Sequence, residues 1–154
     1  MGAILRSRLK WRSESGAELV EFALAFPLLL LVVMGIIDFG FLFQRYEVLT
    51  NAAREGARVA VLPTYQGAGL DDNVRARVLG YLDAAGLDET DATVLPVEIA
   101  NESIAPGTCM TTYKVTVTFP HEYSFVGGIM GYFGGTMSST TLRAVSKMRG
   151  ESSC

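Results

Sequence analysis

Gly16, followed by Ala17, Glu18, Leu19, Val20 and Glu21, stands between a basic leader and a long apolar run, and this order is the clearest chemical signal in the chain. Small residues stand where a peptidase would need an accessible backbone, so a processing signal is expected in front of the apolar run. Glu18 and Glu21 need a separate reason. An acid at the edge of an apolar span is costly and tends to be kept for a task. A bare signal anchor accounts for the leader (Arg6, Arg8, Lys10, Arg12) and the run, but not for the two acids. A removable secretory signal fits poorly, because helical periodicity continues past Phe43 with no loop to expose a cleavage site.

The other reactive residue types give no catalytic pattern. His121 is the single histidine, and beside Pro120 and Glu122 it reads as a solvated turn residue at a strand end. With Cys109 and Cys154 it lacks the spacing of a zinc site. Gly67, Ala68 and Gly69 form too short a glycine pattern for a phosphate loop and follow a helix instead of a strand. Asp88, Glu89 and Asp91 lack EF-hand spacing. No catalytic residue, metal or cofactor is expected, and the chain is not expected to be an enzyme.

The elements that position the Gly16 signal begin with the apolar run. No charge occurs from Phe22 to Ile37, and after Asp38 the apolar character resumes to Phe43. That places a membrane-spanning segment over about 22–43, since a helix needs ~20 apolar residues to cross ~30 Å of hydrocarbon. Pro27 removes one helical hydrogen bond and is read as a kink or a packing device. Asp38 lies far enough along to snorkel at the outer interface, or to pair with a cation on another subunit's helix. From Gln44 onward Tyr46, Leu49, Ala53, Gly56 or Ala57, and Ala60 recur on one helical face. Pro63 pushes its predecessor out of the α region, so the helix is predicted over 17–62, roughly 69 Å at 1.5 Å per residue. Gly35, Gly40, Ala52, Ala53, Gly56 and Ala57 suggest close approach by other helices.

Residues 63–154 read as an α+β head. A second helix is predicted over Asn73–Ala85, burying Val74, Val78, Leu79, Leu82 and Ala85, with Asp71 or Asp72 as N-cap and Gly86 as stop. Three strands should follow: Thr93–Ala100, an edge or bulged strand because of Pro96; Thr111–Phe119, with Tyr113, Val115, Val117 and Phe119 alternating against polar residues; and Thr136–Met148. The helix is expected to pack on this roughly three-stranded antiparallel sheet. Between the last two strands, Pro120–Gly135 carries five glycines among apolar residues. It reads as a connection folded over the core, or as a docking surface for another subunit or the outer membrane leaflet.

Composition fits a small anchored protein. The 154 residues leave room for one small domain beside the long helix. Net charge is −3, but residues 1–16 are basic, so the remainder holds nine basic and fifteen acidic residues; this argues against nucleic-acid binding, which needs a basic face. The basic leader favours a cytoplasmic N-terminus. Both cysteines then fall in the extracytoplasmic part, where a disulfide is permitted. An antiparallel pairing of the last two strands brings Cys109 and Cys154 to the same end, closing a loop of about 45 residues worth ~4 kcal/mol.

With those residues in view, GAELVEFALAFPLLL and NAAREGARVAV resemble the TadE-like pseudopilins of the tight-adherence (Tad/Flp, type IVc) pilus systems, and the Gly16 to Glu21 spacing resembles the type IV prepilin signal. The resemblance covers residues 13–62. It implies a leader of residues 1–16, cleavage between Gly16 and Ala17 by prepilin peptidase, and a role for Glu21 in compensating the new amine of a neighbour. It also implies as partners the inner-membrane platform proteins, the major Flp-type pilin and other minor pilins. Ala17 would be the first mature residue, where type IVa pilins usually have phenylalanine. The implied function is that of a minor pilin-like subunit in the bacterial inner membrane, entering the filament or staying at its base. The rival is an uncleaved bitopic anchor or adaptor with an extracytoplasmic interaction domain.

Overall fold

The computed structural model describes residues 7–65, 69–105, 108–132, 134–135 and 138–150. One helix, α1 (Ser7–Ala60), runs without interruption through Gly16 and past Pro27. The helix therefore starts inside the leader and stops two residues short of the expected Leu62, where the chain turns into a single 3-10 turn at Pro63–Tyr65. The second helix, α2 (Leu70–Ala84), opens earlier than Asn73. Gly69, at φ 93°, takes the N-cap position, and Asp71 and Asp72 lie in the first turn. Their carboxylates still favour the helix's positive end, and Asp71 accepts the Val97 amide at 2.8 Å. Gly86, at φ +75°, ends α2 as expected, with the Gly86 and Leu87 amides returning to Asp83 and Leu82.

The sheet has four strands where three were expected, because Pro96 splits the first into β1 (Thr93–Val94) and β2 (Glu98–Ala105). Both pair antiparallel with one edge of β3 (Thr108–Glu122), while β4 (Ser139–Arg149) pairs along the other. At fifteen residues β3 is longer at both ends than its alternation indicated. It tolerates Pro120 because β1 ends opposite Thr118, leaving that stretch of β3 with β4 as its neighbour. The connection from β3 to β4 contains a third, seven-residue helix, α3 (Val126–Tyr132).

Helices α1 and α2 cover one face of the sheet. Tyr113, Val115, Val117 and Phe119 of β3 are buried as their alternation requires, and meet Val74, Val78 and Leu82 of α2 and Leu49, Ala53, Ala57 and Ala60 of α1. Each fully buried Val or Leu contributes about 1.5–3 kcal/mol. Glu55 and Arg77 pair across the α1–α2 seam at 3.0 Å. Tyr46 lies outside this core, 44% exposed. The small residues of α1 mostly serve its own head: a side chain on Gly56 would come within 2.6 Å of Val78 and 3.3 Å of Val74 and Val115, so α2 and β3 approach because that position has no Cβ. Ala52, Ala53 and Ala57 are likewise fully buried, which replaces the expectation that these residues await other helices.

Candidate functional site

Two places on α1 carry chemistry. At the first, Gly16, Ala17, Glu18 and Glu21 are all exposed on continuous helix, and nothing lies within 4 Å of the position a Cβ would take on Gly16. Among the described residues neither Glu18 nor Glu21 has an ion-pair partner. Leu19 and Phe22 are 69% and 62% exposed, and the rings of Phe22 and Phe26 stack at 5.3 Å. This helix is apolar all round and uncovered, which in water is unsustainable and in lipid is ordinary. By length and hydropathy Gly16–Ala60 includes a candidate membrane span.

The second place is built around Asp38, and it overturns two expectations. Asp38 neither reaches solvent nor waits for a cation on another subunit: it is 1% exposed and accepts the backbone amides of Ser124 at 3.2 Å, Phe125 at 2.9 Å and Val126 at 2.6 Å. Those amides open α3, whose first N–H groups have no partner within the helix, and the carboxylate of α1 supplies it. A buried carboxylate is tolerated when such donors replace water. Pro27 is exposed along the span, and no atom would meet a Cβ on Gly35 or Gly40 within 4 Å.

His121, expected as a solvated turn residue, is also buried, at 2% exposure. Strand β3 runs on to Glu122, so His121 still belongs to the sheet, opposite Thr140. Its Nδ1 lies 3.1 Å from a guanidinium nitrogen of Arg45. Arg has donors only, so Nδ1 accepts and the ring proton sits on Nε2; that nitrogen is buried with no partner among the described residues. The ring meets Tyr123 edge-on at 5.1 Å, and Tyr123 meets Phe39 at 6.4 Å. Burial holds the His121 pKa below the usual range, the Arg45 charge lowers it further, and Asp38 acts in the opposite sense. This arrangement fixes the end of β3 and the start of α3 against α1; it contains no nucleophile set beside a base.

The remaining candidates separate. Asp88 turns inward to its own loop, accepting from the Thr90 amide at 2.9 Å and hydroxyl at 2.7 Å, which draws its pKa below the usual value. No group of three acidic, His or Cys residues fit for a metal occurs among the described residues. Cys109 lies in β3 opposite Ser103, whereas Cys154, Gly67 and Ala68 lie outside the described residues. What sequence reasoning missed was the partner of Asp38. The usable signal was an acid inside an apolar run, which must be satisfied somewhere, together with an uncharged glycine-rich connection too apolar to be a solvated loop.

The family model for TadE-like proteins matches residues 16–58, from Gly16 to a point just short of the end of α1. No curated protein and no solved structure matches the chain. The matched segment spans both the uncovered helix and the face on which the head is packed, so that over residues 16–58, its helical spine, the chain is similar to TadE-like proteins.

Proposed function

We propose that this chain is a minor pilin-like subunit of a tight-adherence pilus or related secretion filament, cut between Gly16 and Ala17 by prepilin peptidase and acting in pilus assembly or initiation. The observation that carries the reading is a coincidence of positions. The family match begins at Gly16, and from there the helix is exposed at nearly every position as far as Ile37, with Glu21 exposed near its start and without an ion-pair partner among the described residues. A charge in an apolar bundle must be paired, and the new amine of a neighbouring subunit supplies the opposite sign. In this reading the N-terminus is cytoplasmic, the head lies outside the inner membrane, and the role is mechanical, not catalytic. Platform proteins, the major pilin and other minor pilins are the partners.

One observation favours the rival, an uncleaved bitopic anchor: α1 passes through Gly16 without a break, and a peptidase must open that turn. The mass of the membrane-extracted protein separates the two. Loss of sixteen residues supports the pilin reading, and an intact N-terminus supports the anchor. Glu21→Gln should then insert and be cut normally but fail to assemble; normal piliation by that variant would remove Glu21 from its role.

A Cys109–Cys154 disulfide completes the proposal for the head. Its support is that the Gly150 amide bonds to the Thr111 carbonyl at 2.8 Å, so the exit of β4 lies beside the entry of β3, and that no described cysteine is a free thiol. Alkylation of the unfolded, non-reduced protein should label neither cysteine, and two labels would end this part of the reading.

A further inference from the structure

The three amide bonds to Asp38 do more than satisfy a carboxylate: they fix α3 at one height along α1. That height can be measured against the bilayer. Counted from Phe22, where the charge-free run opens, a ~30 Å hydrocarbon core takes about 20 residues at 1.5 Å per residue and ends near Phe41. Asp38 therefore lies about one turn inside the outer edge of the core, and α3 begins there. Across that edge the helix stays apolar on its uncovered sides, with Phe39 53%, Phe41 50% and Phe43 63% exposed.

The apolar surface continues from the span onto the head. Val126 of α3 lines a groove of about 610 Å³ together with Leu31, Gly35, Phe39 and Phe43 of α1, and almost none of its wall is polar. From Tyr123 to Leu142 the chain carries no charged residue. Phe125, at the start of α3, is 40% exposed. Tyr123, a residue type suited to the membrane–water interface, sits against Phe39. A partner helix would need one apolar stripe, but the exposed apolar residues surround α1 and continue to Phe125, with Val126 and Ile129 of α3 half-buried behind it, as expected where lipid is the occupant.

Resting on the reading of α1 as a membrane span, we propose that Phe125 and α3 lie in the outer interfacial layer of the phospholipid bilayer, as a second membrane contact that sets the orientation of the head. Elements of this kind bury their apolar face about 5–10 Å into the headgroup and acyl boundary.

Depth-dependent quenching of tryptophan tests this on the full chain reconstituted at low density in phosphatidylcholine–phosphatidylglycerol vesicles. In a Trp11→Phe background, single tryptophans are placed by Phe125→Trp, Ile129→Trp and Val33→Trp, with Leu62→Trp as the control at the far end of α1. Phe125→Trp and Ile129→Trp should emit at shorter wavelength than Leu62→Trp. They should lose more emission to a lipid spin-labelled near the headgroup than to one labelled near the chain terminus. Val33→Trp should show the reverse preference. If Phe125→Trp and Ile129→Trp respond to aqueous acrylamide and to neither lipid while Val33→Trp still responds to lipid, the second contact is overturned and the span stands. Protection from both lipid and acrylamide would mean a second copy covers α3, which also overturns the proposal. If Val33→Trp too is untouched by lipid, the membrane reading itself falls.

Discussion

The two halves of α1 are one continuous helix in two different surroundings. Over 16–37 most side chains are large and nearly all are exposed, among them Leu24 at 75% and Leu28 at 70%. Over 49–60 the inward positions are small and fully buried, from Ala52 and Ala53 to Ala57 and Ala60. The first half has the bulk and uniformity that lipid rewards, whereas the second has the narrowness that lets α2 and β3 come close. Glycines show the contrast most directly: Gly56 is hemmed in by three valines, and Gly35 and Gly40 face open space. Small residues on a long apolar helix thus do not have one meaning, and their neighbours decide it.

The sharpest way to break this comparison is to fill Gly56. Gly56→Leu forces a side chain into Val74, Val78 and Val115 and should destabilise the head by about 3 kcal/mol or more, since overpacking a dense core costs about 1–3 kcal/mol and sometimes exceeds it. Chemical denaturation in detergent, followed by the tertiary circular dichroism of the head, would read it, and an unchanged midpoint would show that the packed half is looser than described. Next in size is the junction. Asp38→Ala leaves the Ser124, Phe125 and Val126 amides without their acceptor and should cost about 2–3 kcal/mol, given roughly 1–3 kcal/mol for an unsatisfied buried group. Hydrogen exchange at Phe125 and Val126 should accelerate in that variant, and Asp38→Asn, which keeps one acceptor oxygen, should recover part of the protection.

A smaller effect is expected from pH. Because the folded state holds the His121 pKa below its ordinary value, the unfolded chain binds more protons between the two, and stability rises with pH through that window. The His121 contribution should be complete above about pH 6.5 and decline as the solution is acidified below it. His121→Gln, which still offers Arg45 an acceptor, should flatten that part of the profile; an unaltered profile would assign the dependence elsewhere. The smallest effect is the counterpart of the first. Gly40→Ala meets no neighbour and should leave the head unchanged or gain up to about 1 kcal/mol from helix propensity. A loss of stability there would mean that the open half already packs against something.

Much of the fold could be read from local pattern. Strand β3 declared itself because Tyr113, Val115, Val117 and Phe119 alternate with polar residues and all four are buried. Helix α2 did so through Val74, Val78 and Leu82 at helical spacing, and Gly86 supplied its stop. Pro96 marked an interruption without saying that both pieces pair with the same edge of β3. The site was less legible. Gly16 and Glu21 stand out because their spacing is a signal in itself. Asp38, by contrast, meets amides 86 to 88 positions away, and nothing local tells an acid that will be capped from one that will snorkel. His121 was misjudged for a related reason: proline beside histidine suggests a turn, and only the length of β3 and the reach of Arg45 show that the ring is enclosed.

The absence of a joint within α1 has a mechanical consequence. The residues that would sit in lipid and the residues that anchor the head belong to one unbroken helix, with no linker in which slack could gather. Traction applied at the N-terminal end is delivered straight into the seam between α1, α2 and β3, where it acts in shear along interlocked side chains instead of peeling them one pair at a time. The Asp38 amides are the first bonds to feel that load. A subunit hauled lengthwise through a membrane would therefore move as a single rigid strut, its head following without lag.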